Sequence, residues 1–249
     1  MKIKLIRSAT ISLQYSGHSI LIDPYFADQY SQPSYAEKSK NPLVGLPLSL
    51  AEIMAGIDTV IVSHLHSDHF DPVAQNYLPK TIPILCQDSD EYKIREMGFR
   101  NIHPIRDHCQ LGNISIQRVM GKHGDGDVLK EMGITSGFLF NAPDESELYW
   151  AGDTILFDKI TDLLLERKPK VIVTHSSGGV WGDGVKIIMD EVQTVEVCKL
   201  LPQSIVIATH MDSLDHCLVS RQQLREYADR NNIGRNQLFI PNDGGELVF

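Results

Sequence analysis

Three things are scarce in this chain of 249 residues, and each scarcity excludes a class of protein. Cysteine is the first. Cys86, Cys109, Cys198 and Cys217 stand far apart with no C-x-x-C spacing. No disulfide framework or cysteine-built zinc module is readable; buried reduced thiols are the simpler reading, with a pairing left open. Basic charge is the second. Lys and Arg number 23 against 32 Asp and Glu, a formal net charge of −9. A surface of that sign repels phosphate backbones, which argues against a nucleic-acid partner. Long apolar runs are the third. Nothing approaches the ~20 apolar residues needed to span a bilayer, so no membrane partner is expected. The opening MKIKLIRSATISLQYSGHSILID is broken by Arg7, Ser8, Thr10 and Ser12 and lacks a signal peptide's apolar centre, so the expected location is the cytoplasm.

Composition is otherwise that of a globular protein, with 42% hydrophobic and 22% charged residues. There is no fixed-period repeat, no low-complexity tract and no Gly/Ser linker. One domain over 1–249 is expected. Short alternating segments at KIKLIR, TISLQY and SILID read as strands. Ser49-Leu-Ala-Glu52 and Ser220-x-x-Gln223 read as capping boxes, and Asp71-Pro72 as an N-cap and first helical residue. Further helices are expected from about Asp88 to Gly98, over 155–167 and over 190–200. Strand-rich stretches at 101–119 and 135–151 flank a glycine-rich loop, MGKHGDGD (120–127). Hairpin-rich segments in both halves, with helices between strands, predict an α/β fold. It is a four-layer αββα sandwich of two mixed β-sheets with helices on the outer faces. The connection over 24–48, with four prolines and Tyr25, Tyr30 and Tyr35, is either a lid, a subunit contact or an irregular surface excursion.

The chemistry is concentrated at TVIVSHLHSDHF (59–70). An apolar strand runs into His64, His66, Asp68 and His69, four metal donors within six residues. At an extended strand end, positions i and i+2 project to one side, so His64 and His66 converge, while Asp68 and His69 can face a second ion. Imidazole and carboxylate without thiolate suit an open, catalytic site for zinc, manganese or iron. KVIVTH (170–175) and SIVIATH (204–210) repeat the pattern, each a β-branched run ending in Thr-His. One hexad cannot complete two ions, so further donors are sought at His123, at Asp153 in WAGDT and at His210. Asp153 reads equally well as a helix N-cap. His175 is a group that bonds substrate or protonates the leaving group, a partner to a ligand, or an ordinary loop histidine. His216 and Asp212 are weaker candidates for such roles; His18, His103 and His108 read as structural or exposed. Trp181, in the loop SSGGVWGDG (176–184), is a substrate wall or a core anchor. The loops carry no basic cluster beyond Lys122 and Lys186.

With LIDP (21–24), HLHSDH, GKH, AGDT and ATH in this order, the chain resembles the metallo-β-lactamase superfamily over its whole length. It looks closest to the branch of ascorbate-6-phosphate lactonase-like and phosphodiesterase-like hydrolases. The resemblance puts His64, His66 and His123 on one metal and Asp68, His69 and His210 on another, with Asp153 between them. His66 stands where redox diiron relatives carry Glu, which argues against oxygen or nitric oxide reduction. The resemblance implies hydrolysis of an ester, lactone or phosphodiester bond of a small molecule. Two divalent ions, Zn2+ first and Mn2+ or Fe2+ next, would activate a hydroxide that Asp68 orients. Two alternatives stand beside it: a mononuclear iron oxygenase of the same fold, and a metal-stabilised binding protein without turnover. A homo-oligomer is left open.

Overall fold

The computed structural model describes residues 1–249 and builds them into two seven-stranded sheets. The first sheet opens with the antiparallel strands β1 (Lys2–Arg7), β2 (Thr10–Tyr15) and β3 (His18–Ile22). It continues with parallel β4 (Thr59–Val62), β5 (Ile84–Gln87) and β6 (Ile102–Ile105). The second begins with the meander β7 (His108–Leu111), β8 (Ile114–Met120), β9 (Ser136–Asn141) and β10 (Leu148–Trp150). Beside β10 lies parallel β11 (Val171–His175). A small hairpin, β12 (Val180–Trp181) and β13 (Val185–Lys186), leaves the sheet, which then takes up parallel β14 (Ile205–Thr209) and β15 (Leu238–Phe239). The last strand, β16 (Glu246–Val248), returns to pair with β1 in the first sheet.

Alternation along the strands assigns each layer its contacts. Ile61 in β4, Val171 and Val173 in β11 and Ile207 in β14 point between the sheets, into a core with Trp150, Phe138 and Phe140. Their neighbours point outward. Val60 and Val62 pack under α1 (Leu50–Met54), α2 (Pro72–Tyr77) and α3 (Glu91–Glu96). The short α4 (Val128–Met132) precedes β9. Ile172, Val206 and Ala208 meet α5 (Asp158–Arg167), α6 (Glu191–Leu200) and α7 (Arg221–Arg230). Burying each such side chain stabilises by ~1.5–3 kcal/mol, so strands covered on both faces are rigid anchors. The result is the four-layer αββα sandwich expected from the pattern.

The predicted caps form. Ser49 and Ser220 each complete a capping box, and the Asp71 side chain accepts from Val73 N–H and Ala74 N–H. Three details differ from the sequence expectation. α5 starts at Asp158, not near 155. α4 was hidden beside the glycine-rich loop, being five residues between Gly126 and Gly133. The loop 176–184 contains the β12–β13 hairpin. All four cysteines are free thiols. Arg7, wholly buried, holds the long connection by donating to the carbonyls of Tyr25, Ala27 and Val44.

Candidate metal centre

Strands β4, β8, β10, β11 and β14 deliver the chain to one edge of the sandwich, where donors from both sheets meet. β4 runs into the hexad, β8 leads to His123, β10 to Asp153 and β14 to His210, while β11 ends on His175. Asp153 is the hub. One of its carboxylate oxygens lies 3.1 Å from His69 Nε2, 3.4 Å from His123 Nε2 and 3.9 Å from His64 Nε2. The other lies 2.5 Å from His175 Nδ1 and 3.9 Å from His210 Nε2. Asp68 adds an oxygen 3.2 Å from His210 Nε2 and 3.6 Å from His69 Nε2.

Three donor groups emerge, each with its ligand atoms mutually within 4.8 Å. His64, His66 and His123 form the first; His69, Asp153, His175 and His210 form the second; the third is Asp23, His64 and His69. Six of the seven residues expected as ligands fall in these groups, and the seventh, Asp68, reaches His210 and His69. His175 joins them with a bond to Asp153, is 1% exposed and does not line the pocket. The bond sets it beside Asp153, away from the pocket. Asp153 is no N-cap, since α5 begins five residues later with Phe157 as its cap. His18 and His103 pair with Asp58 and Asn101, outside the cluster.

Supporting bonds fix the ring orientations. Asp23 accepts from Ser63 N–H and Ser63 Oγ–H, each at 2.7 Å, and lies 2.7 Å from His69 Nδ1. Ser63 Oγ lies 2.9 Å from His64 Nδ1, so one carboxylate orients two imidazoles. His123 Nδ1–H donates to the Ile187 carbonyl at 2.7 Å. These bonds put a proton on each Nδ1 and turn the Nε2 atoms inward. Asp153 is held through its carbonyl, which accepts from Thr135 Oγ1 at 2.8 Å. Gly152 before it has φ +66°, and a Cβ there would come within 2.7 Å of Ser136 O, so only glycine lets the turn close. His210 itself sits at φ 61°, its N–H bonded to Ser8 O at 2.8 Å. That left-handed turn aims it back into the site.

The residues fit metal ions. His64 Nε2 and His210 Nε2, both facing the cluster, are buried without a hydrogen-bond partner. Each such atom costs ~1–3 kcal/mol unless something binds it. His69 Nε2 and His123 Nε2 face Asp153 Oδ2 at 3.1 and 3.4 Å, an arrangement that suits a cation between them. The carboxylates also set the charge on the imidazoles. Burial works against charge on His69, yet Asp153, Asp68 and Asp23 outweigh it and raise its pKa to about 10. His210 is raised likewise, by Asp153 and Asp68 against burial. Burial works to raise Asp153 too, but His69, His210 and His123 hold it well below the usual carboxylate range. On the first group burial dominates: His64 is lowered well below its ordinary value and His123 to about 4, so both imidazoles are neutral at pH 7.

A pocket of about 260 Å3 opens onto these donors. Its floor is His66, Asp68, His123 and Asp153, and its walls are Tyr35, Trp181, Met132 and Ile187, with Ser67, Glu131 and His216 beside them. Trp181 is thus on the pocket wall, its indole N–H donating to Glu131 at 2.8 Å. Burial and Asp68 push the Tyr35 phenol well above its ordinary pKa, so it is a neutral donor. No Arg or Lys is among the eleven lining residues. Lys122 is paired with Asp125 at 3.0 Å and Lys186 with Asp190.

Several site residues escaped sequence reasoning. Asp23 lay in plain view in LIDP, but its partners are 40 and 46 residues away. Tyr35 had only its place among interleaved tyrosines as a signal. Glu131 and Met132 sit on the unforeseen α4.

Residues 18–211 match the family model described as Beta-lactamase superfamily domain. The chain belongs to this superfamily. It is 35% identical to UPF0173 protein YddR of Bacillus subtilis (strain 168), over the full length of both chains. The crystal structure of an isothiocyanate hydrolase from Delia radicum gut bacteria superposes with a TM-score of 0.95. That likeness is 34% identical and covers 100% of this chain and 99% of the other. A possible metal-dependent hydrolase from Veillonella parvula DSM 2008 gives a TM-score of 0.96 at 30% identity, with the same coverage. The chain is accordingly a metal-dependent hydrolase of the metallo-β-lactamase fold, which sets aside the oxygenase and non-catalytic readings. No helix is long and apolar enough to cross a membrane.

Proposed function

We propose that this hydrolase uses a dinuclear metal centre to add water to the electrophilic carbon of a small, uncharged substrate with an apolar tail. The isothiocyanate group is the first choice. The observation that carries the reading is the pocket itself: a floor of donors under apolar and aromatic walls, with no Arg or Lys among the lining residues. Anionic phosphodiesters find no side-chain cation there, which weakens the phosphodiesterase reading. The likeness to an isothiocyanate hydrolase over the whole chain supports the neutral electrophile. Esters and lactones share its neutral carbon and form the second choice.

His64, His66 and His123 would hold one ion, and Asp68, His69 and His210 the other, with Asp153 between them. Zn2+ is favoured by the imidazole-rich set; Mn2+ and Fe2+ fit it as well. Two such ions supply Lewis acidity, which lowers the pKa of water towards neutrality and polarises the substrate. Asp68 faces the pocket with its carboxylate and accepts a hydrogen bond from the attacking water, turning its lone pair to the substrate carbon. His175 keeps Asp153 in place from behind. The apolar walls exclude bulk water. In the isothiocyanate reaction a C–O bond forms at the central carbon and the C–N bond breaks. Both water protons end on nitrogen, giving a primary amine and carbonyl sulfide.

The test is metal content of chelator-free protein together with turnover of phenethyl isothiocyanate, an aryl ester, a lactone and bis(4-nitrophenyl) phosphate. Two ions per chain and amine release from the isothiocyanate are expected, with the phosphodiester slowest. Preferred turnover of the phosphodiester, or one ion per chain, would overturn the reading.

A further inference from the structure

The segment 34–41 is irregular, yet one side chain organises it. The Asp215 carboxylate accepts from Tyr35 N–H at 3.0 Å, Ala36 N–H and Lys38 N–H at 3.2 Å and Ser39 N–H at 3.3 Å. It also takes Asn41 Nδ2–H at 2.9 Å and the Ser34 hydroxyl. Asn41 completes a ring by accepting from Asp215 N–H at 2.9 Å. So many donors on one buried carboxylate make the segment a fixed clasp rather than a loose loop.

That clasp has one tip, Tyr35. Its hydroxyl bonds Ser67 Oγ, and Ser67 stands between His66 and Asp68 in the hexad. Its ring meets His216 edge-on at 5.2 Å and Trp181 at 6.4 Å. Trp181 is locked in turn by Glu131. Two aromatic rings, each tethered by a hydrogen bond, thus line an opening whose apolar lining also includes Met132 and Ile187. Ser67 is exposed and keeps no other side-chain partner, so the phenol can leave it for a bound molecule at little loss.

From this arrangement, and resting on the function proposed above, we infer that Tyr35 is the substrate-positioning residue. Its hydroxyl moves from Ser67 to the sulfur or oxygen of the bound electrophile, its ring and Trp181 clasp the apolar tail, and Asp215 sets the clasp. A donor aimed at the heteroatom on which charge develops strengthens as the carbon is attacked. The tail slot is a separate contribution, felt only by substrates that have a tail.

The experiment uses the metal-loaded full chain, its Tyr35→Phe, Tyr35→Ala and Asp215→Asn variants, and two substrates, methyl and phenethyl isothiocyanate. Metal content and melting temperature are checked for each. Tyr35→Phe should lower kcat about tenfold on both substrates with KM little changed, the effect of one lost hydrogen bond at the reacting centre. Asp215→Asn should raise KM for the phenethyl substrate about tenfold and leave methyl nearly unchanged. Unaltered kcat in Tyr35→Phe, or equal KM effects on both substrates, would overturn the inference. The slot is also read without turnover, by Trp181 fluorescence on titration with the unreactive N-phenethylacetamide. Binding lost in Tyr35→Ala supports the clasp even if isothiocyanates prove not to be substrates; binding unchanged in that variant overturns it.

Discussion

Asp23 and His69 are 46 residues apart in sequence, and the Asp23 carboxylate lies 2.7 Å from the His69 Nδ1. The same carboxylate reaches His64 through the Ser63 hydroxyl. It therefore serves one nitrogen ligand in each of the first two donor groups. Asp23→Ala should weaken metal affinity by about 10–100-fold, the usual loss when a ligand's supporting partner goes. Competition against a chromogenic chelator measures it; unchanged affinity would show that packing alone holds the rings.

His175 tests a different relationship. It bonds Asp153, and burial lowers its pKa to about 4 although Asp153 works to raise it. At pH 7 it is a neutral donor to a carboxylate. His175→Ala should lower metal affinity about tenfold and leave the shape of the pH–rate profile unchanged. Loss of one limb of that profile would make His175 the proton donor to the leaving group instead.

Metal removal should have two signatures. Ions at about 100 times their Kd stabilise by ~2.7 kcal/mol, so a chelator should lower the melting temperature by roughly 5–10 °C, reversed by Zn2+. Because Asp153, Asp68 and Asp23 hold His69 at about 10 against its burial, it is protonated at pH 7 and must lose that proton to bind metal. Calorimetry in buffers of different ionisation enthalpy should show net proton release; none would contradict the assignment of His69 as ligand.

Asp215 gives the pH prediction. Burial acts to raise its pKa, but Ser34, Asn41 and the backbone N–H groups of Tyr35 and Ala36 outweigh it and hold it well below the usual carboxylate value. A depressed carboxylate contributes stability above its unfolded pKa, about 4, and loses it as pH falls through the folded value. Wild type and Asp215→Asn, both metal-free, should differ by about 2 kcal/mol at pH 7. The gap should narrow only below about pH 4. A gap that is constant from pH 7 to pH 3 would assign the effect to shape, not charge.

The fold and the donors were readable because both obey local rules. Val60, Ile61 and Val62 announce a buried strand, and donors attached to the end of such a strand are held still by it. The walls obeyed no such rule. Glu131 and Met132 sit on a five-residue helix too short for a periodic pattern. Asp215 acts on backbone amides some 180 residues away, and backbone amides leave no trace in residue identity. Asp23 was visible as a residue and invisible as a partner, since a single carboxylate says nothing of what it will face.

Donors and walls also come from different stretches of chain. The candidate donors lie at or just beyond the ends of strands locked in the sandwich, while the walls come from the clasp 34–41, pinned by Asp215, from α4 and from the β12–β13 hairpin, all outside the two main sheets. Sequence change in these outer segments can reshape what enters without loosening what reacts. Divergence of substrate preference within such a lineage is therefore open to small insertions and single replacements, while the hexad stays put.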